Sequence, residues 1–376
     1  MGSEKIIGID AHAIGLKQGG NETYIIGLLY GLSQIEHPDF SYVVFLSKGI
    51  PVPDFLLNDK QFSIERVSQR ASLRFLRDIP VRTYTEKLDL LHTQYHTPLI
   101  SHCHSVITLH DVSFIRYPEF FPEDIYLRLK LSLLYSVRKA KKIITVSEFS
   151  KREILKFYKI DEEKIEVVYN GVSEKFRPID TTKCDKVLEN YSVKKPYILS
   201  VSNLQPRKNL SRLIKAFISI IKNNPAFPYN LVIVGKKLWL YNEMFDEIRN
   251  SNFVERIVLT DYVPEEDLVY LYNGADVFIY PSIYEGFGLP VLEAMSCGCA
   301  VVTSNTSSLP EVAGNACVLV DPYNVEEIAR AIQNVIRNPD LKMRLKMEGL
   351  KQSQKFSWKR SGEMTLKIYE KVLYNL

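Results

Sequence analysis

The stretch Tyr284 to Gly298, YEGFGLPVLEAMSCG, sets Glu285 and Glu293 on either side of a Gly-Phe-Gly-Leu-Pro turn. A carboxylate accepts paired hydrogen bonds from a vicinal diol, the pattern carried by a ribose or a sugar ring. Pro290 suits the first position of a helix, so Gly286, Phe287, Gly288 and Leu289 form the loop ahead of it and Glu293 lies one turn in. Across such a junction the two acids cannot share a helix face and must address different parts of a ligand. An ordinary solvated Glu293 is the plain alternative.

Two other stretches suit an anion. In SNLQPRKNL, Arg207 and Lys208 stand between a strand and a helix, where adjacent cations can hold a diphosphate, Arg by a forked hydrogen bond and Lys as a point charge. A solvated surface pair explains them as well. In GLKQGGNETY, Gly19-Gly20 lies between a strand and a helix with Asn21 as an expected N-cap, leaving backbone N–H groups beside a positive dipole end. That is either an anion site or a bare turn; the G-x-G-x-x-G dinucleotide fingerprint is missing.

The elements around these residues alternate. KIIGID, YVVFLS, LDLLHT, SVITLHD, KIITVS and KIEVVYNGV are short apolar strands separated by helix-like or loop segments. A second series, YILSVS, NLVIVG, RIVLTD, DVFIYPS, AVVTSN and ACVLVD, follows a polar tract around 176–196. The alternation implies parallel sheets. The chain of 376 residues is too long for one ordinary core, and the expected division is a domain over 1–190, a second over 191–355, and a closing helix over 356–376. Two doubly wound, Rossmann-like α/β domains bind ligands at the carboxyl ends of their strands, in a central cleft.

Composition excludes several classes. A net charge of +4 on a balanced set of charged residues gives no whole-chain argument for nucleic-acid binding. Five cysteines without paired spacing fit a reduced, cytoplasmic setting and buried thiols rather than zinc or redox chemistry. With no apolar leader and no long apolar run, neither a signal peptide nor a spanning helix is expected. The stretches YLRLKLSLLYSVRKAKK at 126–142 and RVSQRASLRFLR at 66–77 are basic and apolar together. They suit either an anionic membrane surface or a core-facing helix with a solvated basic side.

The segment YPSIYEGFGLPVLEAMSCGCAVVTSNTSSLPEVAGNACVLVDP resembles the donor-site signature of retaining glycosyltransferases of the GT-B fold, the group 1 or GT4 family. QPRKNL, YVPEEDLVYLYNGADVFIYPS, SVITLHDVSFIRYPEFF, ITVSEFSKREI, VVYNGV and FSWKRSGEMTLKIYEKVL extend the resemblance over nearly the whole chain. It implies two Rossmann-like domains, the first on the acceptor side and the second binding the nucleotide sugar, with the C-terminal helix crossing back to the first. It also implies transfer of a sugar from a nucleotide diphosphate donor to a saccharide or lipid-linked acceptor. IGIDAHAIG, NETYIIGLL and TLHDVSFIRYPEFF look most like mannosyltransferase-type members, so GDP-mannose is the expected donor.

By that resemblance Glu293 reads the ribose and Glu285 the donor sugar, with the amides of Phe287, Gly288 and Leu289 near sugar and phosphate. Arg207 and Lys208 hold the diphosphate, Gly19 and Gly20 approach it from the first domain, Tyr262-Val263 faces the base, and His110 lies at the reacting sugar. No cofactor or metal is expected: the sequence contains no Asp-x-Asp, and cations with helix N-termini can stabilise the leaving diphosphate. Five histidines fall between 92 and 110; acceptor contacts for His92 and His96, or loop packing, explain them with fewer assumptions than a metal. The rival readings are a 2-epimerase or hydrolase on the same fold, and a non-catalytic nucleotide-sugar-binding subunit.

Overall fold

The computed structural model describes residues 4–17, 19–240 and 242–375. The chain forms two compact units. The first comprises the residues up to Arg116, Glu123–Gly171 and the segment from Ser357 onward; the second comprises Tyr117–Pro122 and Val172–Phe356.

The first unit holds a seven-stranded parallel sheet of β1 (Lys5–Asp10), β2 (Phe40–Ser47), β3 (Phe62–Val67), β4 (Leu90–Gln94), β5 (His104–Thr108), β6 (Lys142–Thr145) and β7 (Ile165–Val167), in the order β3-β2-β1-β4-β5-β6-β7. The second holds a six-stranded parallel sheet of β8 (Tyr197–Val201), β9 (Asn230–Val234), β10 (Ile257–Asp261), β11 (Val277–Tyr280), β12 (Val301–Ser304) and β13 (Cys317–Val320), in the order β10-β9-β8-β11-β12-β13. Strand order reverses between β1 and β4 in one sheet and between β8 and β11 in the other. At such a switch point the loops diverge and leave room for a ligand.

The apolar runs become strands because helices cover both faces of a parallel sheet. In the second unit Leu213, Ile214, Phe217 and Ile221 of the helix Leu210–Asn223 share a core with Ile198, Leu231 and Ile233, and Ile328, Ile332 and Val335 of the helix Val325–Arg337 belong to the same core. β3 lay outside the strands expected from the sequence. It pairs only with β2, so its residues between Phe62 and Val67 are polar or half-buried and carry no apolar run.

The passage between units follows Gly171, ahead of the polar tract, and the expected break at 190 falls within the second unit. Phe176 stacks edge-on against Tyr272 at 5.7 Å, and Cys184 and Leu188 of the helix Cys184–Asn190 are buried there. A few anchoring side chains in a polar tract are enough to attach it. The closing helix, Trp358–Tyr374, packs on the helix Gly20–Ser33 of the first unit. The approach is so close that a Cβ on Gly31 would lie 2.0 Å from the Trp358 carbonyl oxygen. The closing helix is also held to the rest of the first unit: Ser361 donates to the Tyr169 carbonyl, and the buried Tyr369 hydroxyl meets His92 Nδ1 at 2.6 Å.

Candidate functional site

In the second unit the loops after β8 and β11 meet at the switch point. After β8 a tight turn, Pro206–Lys208, precedes Asn209 and the helix Leu210–Asn223. Asn209 Nδ2 donates to the carbonyls of Pro281 (2.9 Å) and Pro322 (2.6 Å), and Ile283 N donates to Arg207 O (2.8 Å), which ties the two loops together. Arg207 and Lys208 thus stand at the carboxyl edge of the sheet, as expected.

They are not a solvated pair. Arg207 Nη1 donates to Glu285 Oε2 at 2.8 Å, and Lys208 Nζ donates to Glu285 Oε1 at 2.5 Å. Oε1 also accepts from Ser282 Oγ (2.6 Å) and Tyr280 Oη (2.9 Å). Burial by itself would raise the Glu285 pKa; the charges of Arg207 and Lys208 overcome it and hold the carboxyl down at about 2. The cluster is therefore two cations with one fixed anion between them.

From Glu285 the chain runs through Gly286, Phe287, Gly288 and Leu289 into the helix Leu289–Ser296. Ser308 Oγ donates to the carbonyls of Glu285 and Phe287, both at 2.9 Å, and fixes the turn. Gly288 takes φ 107°, and a Cβ there would meet Leu309 Cδ2 at 2.7 Å, so no other residue fits the junction. Pro290 is the second residue of this helix rather than the first. Glu293 is buried, against the solvated alternative, and accepts from Tyr272 Oη at 2.8 Å. Burial pushes its pKa up to about 7; the Tyr272 hydrogen bond pulls it back and the charge of Glu265 adds to the rise. Val263, between β10 and the helix Glu265–Gly274, is buried beside an exposed Tyr262.

In the first unit Gly19 occupies the N-cap of the helix Gly20–Ser33 with φ 89°, so Asn21 lies inside the helix and does not cap it. His110, just beyond β5, is buried; its Nε2 bonds Gln94 Oε1 at 2.9 Å, and its ring meets the Tyr24 ring edge-on at 4.6 Å. Burial lowers its pKa to about 4, against the pull of Asp111, so the imidazole is neutral near pH 7. His92 does not fit the acceptor role expected for it. Both ring nitrogens are used inside the core, Nδ1 with Tyr369 Oη and Nε2 with Thr108 Oγ1 (2.7 Å), and burial drives its pKa to about 3. His96 is half-buried, and its Nδ1 has no hydrogen-bond partner. Among the described residues no group of three His, Cys, Asp or Glu stands ready for a metal.

Sequence reasoning missed the supporting hydroxyls Tyr272, Tyr280 and Ser282, and a cluster of Asp10, His12 and Arg74. The acid closing the first strand, KIIGID, was the available signal for the latter. The cysteines are unpaired, and Cys299 is a buried thiol whose pKa burial raises to about 12, which fits inert packing.

Known proteins share this organisation. The family model "Glycosyl transferases group 1" matches residues 186–352, and "Glycosyltransferase Family 4" matches residues 15–176. The O-antigen chain mannosyltransferase B of Escherichia coli is 35% identical over 267 residues, covering 71% of this chain and 70% of that protein. The chain belongs to glycosyltransferase family 4. The E. coli serotype-specific mannosyltransferase WbdA is 28% identical over 72% of this glycosyltransferase, a stretch that spans only 33% of WbdA. Anabaena Alr3699/HepE in complex with UDP and glucose aligns with a TM-score of 0.76 at 20% identity, over 98% of this chain and 99% of that one. A glycosyltransferase from Rickettsia africae aligns at 0.74 and 20% identity, over 99% and 100%. The fold is GT-B.

The two glutamates of the glycosyltransferase give stability opposite pH dependences. Between the ordinary value of 4.5 and about 7 the unfolded chain has released the Glu293 proton that the folded chain still holds, so stability falls as pH rises through that window. Glu285 contributes stability that is complete above 4.5 and is lost as pH falls towards about 2. Glu293→Gln should therefore gain on the wild type as pH rises, by up to roughly 3 kcal/mol at neutral pH. Urea unfolding of both proteins between about pH 5 and about pH 8 measures this; a pH-independent difference would contradict a buried Glu293 that keeps its proton.

Proposed function

We propose that this family 4 enzyme is a retaining, metal-independent hexosyltransferase. In this reading it moves mannose from GDP-mannose to a saccharide or lipid-linked acceptor in polysaccharide biosynthesis. The observation that carries the reading is the cluster of half-buried Arg207 with buried Lys208 and Glu285 at the β8/β11 switch point. Mannosyltransferase relatives, one of them the O-antigen chain mannosyltransferase RfbU of Salmonella typhimurium at 32% identity, support the sugar.

In glycosyl transfer the bond from the anomeric carbon to the leaving phosphate oxygen breaks while negative charge gathers on the diphosphate. Fixed cations are the strongest available help, because they need no reorganisation when the charge develops. Arg207 and Lys208 are oriented in advance by Glu285, Tyr280 and Ser282. Glu285 Oε1 already accepts three hydrogen bonds, so the carboxylate is a weak nucleophile, and this favours same-face attack over a double displacement. The acceptor hydroxyl then bonds the anomeric carbon on the face the phosphate leaves, and its proton passes to the leaving phosphate oxygen. Glu285 reads the transferred sugar through Oε2, and Glu293 with Tyr272 reads the ribose. Within the second unit Val263 lines the donor, and in the first unit the neutral His110 is available as a hydrogen-bonding group.

Arg207→Ala or Lys208→Ala should lose about 2–4 kcal/mol of transition-state stabilisation, measured as kcat/KM with GDP-mannose; wild-type turnover in either variant refutes the diphosphate assignment. Activity should persist in excess EDTA, and a loss restored by manganese would overturn the metal-independent reading.

The first unit also suits a cytoplasmic enzyme held at an anionic membrane face. Along the helix Glu123–Lys139, Leu127, Leu131 and Leu134 are exposed, Leu131 to 72%. Leu131, Leu134, Tyr135, Arg138 and Lys139 line a depression of about 420 Å³, and the exposed Leu99 and Ile100 adjoin it through Tyr135 Oη, which donates to Leu99 O. Exposed leucines ringed by cations match an anionic lipid surface. Of the four arginines at 66–77, Arg74 is buried and takes no part. Among the described residues no helix is long and apolar enough to cross a membrane. Wild-type protein should float with phosphatidylglycerol vesicles and Leu131→Glu should not; equal flotation of the two, or none at all, sinks the surface assignment.

A further inference from the structure

A second charged cluster lies at the switch point of the first sheet, apart from the groups used above. Asp10, the last residue of β1, is fully buried, and both of its oxygens accept from His12: Oδ1 from the backbone N at 3.2 Å and Oδ2 from ring Nδ1 at 2.9 Å. Arg74 comes from the π-helical turn Arg74–Asp78 that follows β3, and is itself only 4% exposed. Its Nε lies 3.7 Å from Asp10 Oδ2, beyond hydrogen-bonding reach, and has no other acceptor. Only Nη1 is engaged, through longer bonds to the carbonyls of Ser68 (3.5 Å) and Gln69 (3.3 Å).

His96 joins from the neighbouring strand. It follows β4, its ring meets the Phe75 ring edge-on at 6.2 Å, and Phe75 in turn lies under the Arg74 guanidinium at 5.0 Å. Burial lowers the His96 pKa to about 4, and Arg128, His12 and Arg74 press it down further against the single opposing charge of Asp10. Arg74 and the ionised Asp10 therefore both reach His96. A buried guanidinium with an unused donor, beside an imidazole with an unpartnered nitrogen, costs free energy until an acceptor arrives. A cation offers the unpartnered Arg74 Nε no acceptor, and a neutral hydroxyl supplies few lone pairs. An oxyanion with several acceptor oxygens satisfies the guanidinium and the imidazoles together.

We propose that Arg74, His12 and His96 form a subsite for a phosphate group carried by the acceptor. The assignment rests on the reading that the first unit receives the acceptor. It makes the acceptor a phosphorylated molecule, with the anchoring group at the β1/β4 edge and the reacting hydroxyl elsewhere on the same molecule.

All seven histidines belong to the first unit, at positions 12, 37, 92, 96, 102, 104 and 110, so histidine-labelled full-length protein reports on this unit alone. Inorganic phosphate, titrated at constant ionic strength, should shift the His12 and His96 imidazole resonances saturably, and acetate should not. Octyl phosphate should bind at least as tightly as inorganic phosphate; binding of inorganic phosphate alone overturns the acceptor attribution. Arg74→Lys, which keeps the charge and loses the fork, should weaken phosphate binding about tenfold. Should that buried variant fail to fold in a thermal melt, His96→Asn at a half-buried position makes the same test with the same expected direction. No saturable shift at His12 and His96, an equal response to acetate, or unchanged affinity in the folded variants overturns the subsite. Calorimetry with GDP-mannose runs alongside: absent donor binding with an intact histidine response sinks the donor reading and leaves the subsite standing.

Discussion

A carboxylate removed from water has to be matched by opposite charge, and at Glu285 the match comes from a loop far away in sequence. Arg207 and Lys208 each take one oxygen, while Ser282 and Tyr280 share the second oxygen with Lys208. Removing one partner of such a buried set costs about 3–5 kcal/mol, because the rest is left uncompensated. The loops after β8 and β11 are consequently held in one arrangement, and the helices Leu210–Asn223 and Leu289–Ser296 start from fixed positions. In the proposed reaction the charges that hold the loops would also face the leaving diphosphate.

The second glutamate shows what burial does without that compensation. Glu293 has one hydroxyl partner and no cation, so its proton is retained towards neutral pH, whereas Glu285 stays ionised far into acid. Two carboxyls on either side of one loop thus hold different charges at the same pH, and each suits a different ligand group. A partly protonated Glu293 can both donate to and accept from a diol.

Apolar parallel strands are read easily in sequence, since both faces of YILSVS or DVFIYPS are buried; FSIERV escaped because an edge strand keeps only part of that burial. The residue types at the candidate site were also legible, because Gly-Phe-Gly-Leu-Pro and Pro-Arg-Lys announce turns into helices. The pairing of Arg207 and Lys208 with Glu285 was not, since it depends on β8 and β11 being neighbours in the sheet. His92 was misread for a similar reason: its core partner, Tyr369, arrives from the other end of the chain. Arg74 reads as one of four surface arginines until the turn after β3 brings it to Asp10.

The seat of the closing helix bears on how the chain is made. The helix Gly20–Ser33 is made before the second unit, and its glycine face is shaped for Trp358, which follows every strand of both sheets. The second unit, nearly continuous in sequence, can close before the helix Trp358–Tyr374 is made, yet the first keeps an uncovered groove until that helix follows. The unit begun first is thereby completed after the second, and its exposure to chaperones and proteases lasts through synthesis of the second.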